Sequence, residues 1–187
     1  MQLKCVVAGP SGAGKTCALI THTSSSFPDD YIPTLCHDFQ MSGFITPDTA
    51  YTITYWDIQG GVDYAKYRIL AYPHTDVFLL LFDVSTGVDN VEQTLSFWLQ
   101  EITKNSSSLD VPIVLAGSKT DLRNCSGVAT ASFDDGARLA KKLNLKKYLE
   151  FSSLNNVGLE ELFAEVVEIG YQYRRNQRKV KRTCTLL

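Results

Sequence analysis

Gly9-Pro10-Ser11-Gly12-Ala13-Gly14-Lys15-Thr16 matches G-x-x-x-x-G-K-[ST], and those residue types at that spacing suit one task, the holding of a polyphosphate. Glycines let the backbone curl with its N–H groups turned inward, where side chains would block the approach. A helix leaving such a loop adds partial positive charge at its N-terminus. Lys15 is placed to reach β- and γ-phosphate oxygens, and the Thr16 hydroxyl to coordinate a Mg²⁺ ion bridging them.

Two shorter motifs extend this chemistry. Asp57-Ile58-Gln59-Gly60 reads D-x-x-G, in which the carboxylate holds Mg²⁺ through water and the glycine N–H meets a γ-phosphate. Lys119-Thr120-Asp121 adds a base reader, because a carboxylate accepts two hydrogen bonds from the N1 and N2 hydrogens of guanine, a pattern adenine lacks.

The elements that must carry these motifs follow from hydrophobic pattern. Leu3–Ala8 reads as a buried strand delivering the phosphate loop, and Cys17–Ile20 as the helix leaving it. Phe39–Ile45 and Tyr51–Trp56, separated by Thr46–Ala50, predict an antiparallel hairpin with Asp57 at a strand end. Val77–Asp83 and Val111–Gly117 are continuous apolar runs expected of parallel strands covered on both faces, and Tyr148–Phe151 is a last short strand. Val91, Leu95, Trp98, Leu99 and Ile102 fall at helical spacing. Ser132 with Asp135 predicts a capped helix through Leu143, and Leu159–Val167 opens a closing helix running to about Tyr173. Alternating strands and helices predict a mostly parallel α/β sheet with helices on both faces. Ligands bind beyond the carboxyl ends of such strands, where the phosphate loop, Asp57, Ser118–Asp121 and Ser152-Ser153 all fall.

The 187 residues suit one domain, and no apolar run approaches the roughly 20 residues of a membrane-spanning helix. The N-terminus enters a strand with no signal-peptide core ahead of it, so a cytosolic body is expected. Five cysteines (Cys5, Cys17, Cys36, Cys125, Cys184) are odd in number and show no zinc spacing, which suits a reducing compartment. Cys17 has two readings, a helix-start thiol of lowered pKa and a side chain packed in the first turn; packing is the expectation. Residues 174–187 hold six basic residues and no acid, leaving the rest with twelve basic against 20 acidic residues, a net −8. No nucleic-acid partner is expected for a body of that charge.

In their order, these motifs make the chain resemble the Ras superfamily of small GTPases, and within it the Rho family. The likeness rests on Lys4–Val7, Gly14–Cys17, Phe27-Pro28 with Tyr31–Thr34, Trp56-Asp57, Asp63-Tyr64, Tyr72-Pro73 with Thr75–Phe78, and Asp121–Arg123. It implies a small G domain over residues 1–173, built on a six-stranded sheet, and a basic tail over 174–187. It implies GTP and GDP as ligands and Mg²⁺ as cofactor, held by Thr16, by Thr34 and, through water, by Asp57. Ser11, Gly12, Ala13, Gly14, Lys15, Thr16 and Cys17 would then line the phosphates. Phe27, Tyr31, Ser118, Lys119, Asp121, Ser152 and Ser153 would complete the nucleotide site, with Phe27 packed against the guanine and Ser152-Ser153 contacting the base. Lys15, Thr34 and Gly60 would serve the γ-phosphate, whose loss releases both switch loops. Partners implied are effectors on residues 27–40 and 58–70, exchange factors and a GDP-dissociation inhibitor, with cytoskeletal or trafficking control as the family's output.

The chain departs from the family where hydrolysis is organised. Gly61 stands where a glutamine orients the attacking water, and Ser11 where the loop carries a further glycine. Both changes predict slow hydrolysis and weak response to activating proteins; compensation by another side chain or by the substrate phosphate is the open alternative, and a GTP-bound scaffold that never cycles is a second. Ser118 replaces Asn or Thr of the base motif, Cys36-His37 replaces an aromatic-acidic pair, and residues 124–132 are too few for the Rho insert. A P-loop kinase is the rival from another class, but the chain has no arginine-rich lid segment. Cys184-Thr185-Leu186-Leu187 fits C-a-a-X with a final leucine and predicts geranylgeranylation beside a polybasic patch. One lipid with a basic patch supplies the two signals of stable anchoring, at the cytoplasmic face of the plasma membrane or an endomembrane.

Overall fold

The computed structural model describes residues 1–28, 30, 36–125, 127 and 129–184. Six strands, β1 (Gln2–Ala8), β2 (Cys36–Thr46), β3 (Thr49–Ile58), β4 (Val77–Asp83), β5 (Ile113–Ser118) and β6 (Lys147–Glu150), form one sheet in the order β2-β3-β1-β4-β5-β6. Only β2 runs antiparallel to its neighbour. Helices α1 (Lys15–Ser24), α2 (Ala65–Arg68), α3 (Val88–Asn105), α4 (Phe133–Lys142) and α5 (Leu159–Cys184) cover its faces.

The two-residue period of a strand divides the core in two. Leu3, Cys5 and Val7 of β1, with Val77, Leu79 and Leu81 of β4, pack against Leu19 of α1 and Leu162, Phe163 and Val166 of α5. Val6, Ala8, Phe78, Leu80 and Phe82 face the other way, onto Val91, Leu95 and Trp98 of α3 and Leu139 of α4. Burying each such side chain contributes about 1.5–3 kcal/mol, so the central strands are the best-anchored part of the chain. The sheet, its parallel pairing and the helices on both faces are as the sequence predicts.

Several boundaries differ from the sequence reading; β6, for one, runs Lys147–Glu150 rather than Tyr148–Phe151. The hairpin is longer, with Thr46 paired to Thr49 across Pro47-Asp48, and β2 begins at Cys36. β5 begins after Pro112, which has no N–H for a ladder but whose carbonyl accepts from Phe78 N at 2.9 Å. After β3 the chain forms 3₁₀ turns (Val62–Tyr64 and Ile69–Ala71) flanking the short α2. The closing helix does not stop at Tyr173 but continues to Cys184, because Arg, Lys and Gln favour helix and no Gly or Pro interrupts them. Arg174 fixes the crossing point by donating to the buried Asp76 carboxylate at 2.9 Å. The α4 cap is as expected: Ser132 Oγ accepts from Asp135 N at 3.2 Å, and Asp135 Oδ2 from Ser132 N at 3.0 Å.

His22 stacks on Phe163 with ring centroids 4.0 Å apart, and burial holds its pKa below the ordinary 6.5, with Glu160 partly opposing. The unfolded chain therefore binds the proton more readily than the fold. Stability from this group is complete above pH 6.5 and falls as the pH drops through the lower folded value. Melting temperatures at pH 7 and pH 5 should show this loss, and His22→Phe, which keeps the ring stack, should flatten it.

Candidate nucleotide site

The chain leaves β1 towards β3 on one side and returns through β4 on the other, so β1 ends at a topological switch point. The phosphate loop emerges there. Gly9 has φ +136°, and a Cβ on it would lie 2.3 Å from Leu81 O, so no side chain fits between loop and β4. Lys15 opens α1 but turns back over the loop, its Nζ donating to Gly9 O at 2.8 Å and Pro10 O at 2.9 Å. Burial pushes its pKa down to about 8, while Asp57 pulls it upward. A cation so poorly solvated gains strongly from an anion placed beside it.

Thr16 Oγ1 donates to Asp57 Oδ2 at 2.5 Å, joining the first turn of α1 to the end of β3. A hydroxyl and a fully buried carboxylate form an all-oxygen donor pair at the loop. That donor set fits Mg²⁺, which takes one or two protein carboxylates and completes its shell with phosphates and water. Thr16 and Asp57 are the described residues that would hold it.

Ser11, Gly12, Gly14, Lys15, Thr16, Cys17 and Lys119 line one cavity of about 220 Å³, joined by Pro28, Asp30, Ile58 and Gln59. Ala13 is buried behind them, its N–H reaching Pro10 O. Cys17 is half-buried, and burial pushes its thiol pKa up against the pull of Lys119. That direction runs against a lowered thiol pKa, and the side chain lines the cavity wall rather than joining either core cluster. Phe27 is exposed rather than part of the cavity wall, while Tyr31 and Thr34 lie outside the described residues.

The Lys119–Asp121 segment follows β5, two strands along the sheet from β1. Lys119 takes a left-handed backbone (φ +62°) and donates from Nζ to Asp83 Oδ2 at 2.7 Å. Burial alone would raise the Asp83 pKa, but Lys119 and Ser85 outweigh it and hold the carboxyl below its usual range. Asp83 was not expected from the sequence; its one signal is a charge closing an apolar strand. Ser118 Oγ is committed to Phe82 O at 3.0 Å, tying β5 to β4. Asp121 Oδ1 accepts from Ser152 Oγ at 2.5 Å, which fixes the carboxylate against the loop after β6. The neighbouring Ser153 Oγ is buried without a hydrogen-bond partner among the described residues.

The loop after β3 is pressed onto the phosphate loop. A Cβ on Gly60 would come within 2.4 Å of Pro10 C and Ser11 N. The Gly60 N–H is donated to Gln59 Oε1 at 3.0 Å, and Gly61 O accepts from Arg68 at 2.5 Å. Arg68 is itself clamped by Glu101, at 2.8 and 2.6 Å, over the ring of Trp98.

A lysine-bearing glycine loop at the switch point of a mostly parallel sheet, with Lys119 and Asp121 following the end of β5, defines a P-loop nucleotide-binding domain. The Ras family model matches residues 4–172, nearly the whole chain, and the protein belongs to that family. It is therefore a GTP-binding switch of the small-GTPase type, a class that works with Mg²⁺ and with effectors, exchange factors and activating proteins. Gly60→Ala is expected to lift the second loop off the first and to weaken triphosphate binding about tenfold, with diphosphate little changed; competitive nucleotide titration reads both.

Proposed function

We propose that the protein is a Rho-like, membrane-tethered guanine-nucleotide switch with slow hydrolysis, acting on effectors that control the actin cytoskeleton. The observation that carries the guanine reading is the Asp121 carboxylate, anchored by Ser152 Oγ and lying two residues after Lys119, which itself lines the phosphate cavity. The Rho likeness rests on the sequence blocks around Tyr31–Thr34, Asp63-Tyr64 and Tyr72–Phe78. Val62, Tyr67 and Leu70 are exposed apolar side chains in the 58–70 segment, which supports a protein-binding role for effectors or exchange factors there.

Slow hydrolysis is supported by what surrounds the γ-phosphate side. Gly61 offers no side chain to hold a water, and the nearest carboxamide, Gln59, is bonded to Gly60 N–H. The missing side chain at Gly61 also suits a second reading, a GTP-loaded scaffold with negligible exchange, which exchange kinetics separate from a switch.

Nucleotide extracted from the purified protein and identified by chromatography tests the central claim. Guanine is the expected base; adenine overturns it. Arg174, Arg175, Arg178 and Lys179 of α5, with Lys181, Arg182 and the Cys184–Leu187 sequence, support a geranylgeranylated anchor on anionic membrane. Cys184→Ser should shift most of the protein from the membrane pellet to the soluble fraction.

A further inference from the structure

Resting on the guanine-nucleotide reading above, we propose that Gln59 sets the balance between triphosphate and diphosphate by competing, from within the chain, with the γ-phosphate for the Gly60 N–H. Gln59 is half-buried in the wall of the phosphate cavity, alongside Lys15 and Thr16. Its Oε1 takes the Gly60 N–H at 3.0 Å, the donor that a D-x-x-G glycine offers to a γ-phosphate. A backbone N–H makes one good hydrogen bond, so the carboxamide must leave before the phosphate can be met.

The surroundings favour side-chain exchange over loop movement. On one side Gly60 lies against the Pro10–Ser11 backbone, so close that a Cβ would clash at 2.4 Å. On the other, the Gly61 carbonyl is held by Arg68, which is buried and doubly bonded to Glu101. The flexible partner is Gln59 itself. A diphosphate has no group at the γ position and leaves the Gln59–Gly60 bond intact; a triphosphate binds only after breaking it. The cost falls on the triphosphate alone, and a neutral hydrogen bond of ordinary net strength corresponds to about fivefold in affinity.

The full chain and its Gln59→Ala and Gln59→Glu variants, with Mg²⁺, are titrated with GDP and a non-hydrolysable GTP analogue against a fluorescent GDP. Gln59→Ala should raise the triphosphate-to-diphosphate affinity ratio about fivefold with GDP affinity unchanged. Gln59→Glu should lower the ratio by about tenfold or more, because its carboxylate binds the N–H more strongly and repels the phosphate. A ratio unmoved in Gln59→Ala, or equal shifts for both nucleotides, overturns the proposal and leaves the nucleotide reading standing. Failure of the wild-type chain to bind either guanine nucleotide overturns both.

Discussion

Asp121→Ala is expected to weaken guanine-nucleotide binding by about a thousandfold while the fold stays intact. Two hydrogen bonds from guanine N1 and N2 to a carboxylate are each worth about 1.5–3 kcal/mol, which together correspond to roughly 10²–10⁴ in affinity. The side chain sits in the 3₁₀ turn Thr120–Asn124 at the rim of the sheet, outside both core clusters. Its loss leaves the buried Ser152 Oγ without this acceptor, a cost of about 1–3 kcal/mol in stability that falls on the loop after β6 rather than on the core. The phosphate loop is untouched, so ADP affinity should not fall in parallel. Titration of GDP and ADP against wild type and variant separates the outcomes. A parallel loss for both bases would mean that Asp121 supports the site rather than reading the purine.

The parts of this molecule that local physics determines were legible in the sequence. Val77–Asp83 is a continuous apolar run because β4 is covered on both faces, and the Ser132–Asp135 pair marks a helix start because its bonds span three residues. The phosphate loop was legible because its chemistry admits few side chains. What escaped depends on distant neighbours. Cys36-His37-Asp38 pair with β3 while exposed, so no alternation announces them. The extension of α5 is a matter of propensity and of one contact with Asp76, and its basic composition reads equally well as a solvated tail. Asp83 becomes part of the site only once β4 and β5 align Asp83 with Ser118, which brings Lys119 within 2.7 Å. Gln59 was visible as a glutamine two positions from the expected one, but its attachment to Gly60 required the backbone of the loop.

Gly61→Gln should raise the single-turnover hydrolysis rate roughly ten- to a hundredfold, within the range a well-placed proton-handling or water-positioning group contributes. The backbone at Gly61 is extended (φ −69°, ψ 147°), a conformation open to any residue. A Cβ there meets Tyr64 Cδ2 at 3.3 Å, and that ring is exposed enough to give the few tenths of an ångström required. Arg68 holds the residue by its carbonyl, so the new side chain inherits a fixed origin beside the phosphate cavity. Ser11 stands exposed on the loop opposite and restricts how close the carboxamide comes. The double variant with Ser11→Gly should therefore exceed the single one, and Gly61→Ala should gain nothing. If the wild-type chain turns over briskly without a partner, the missing carboxamide is not what limits the reaction, and water must be oriented by the substrate phosphate or by another side chain.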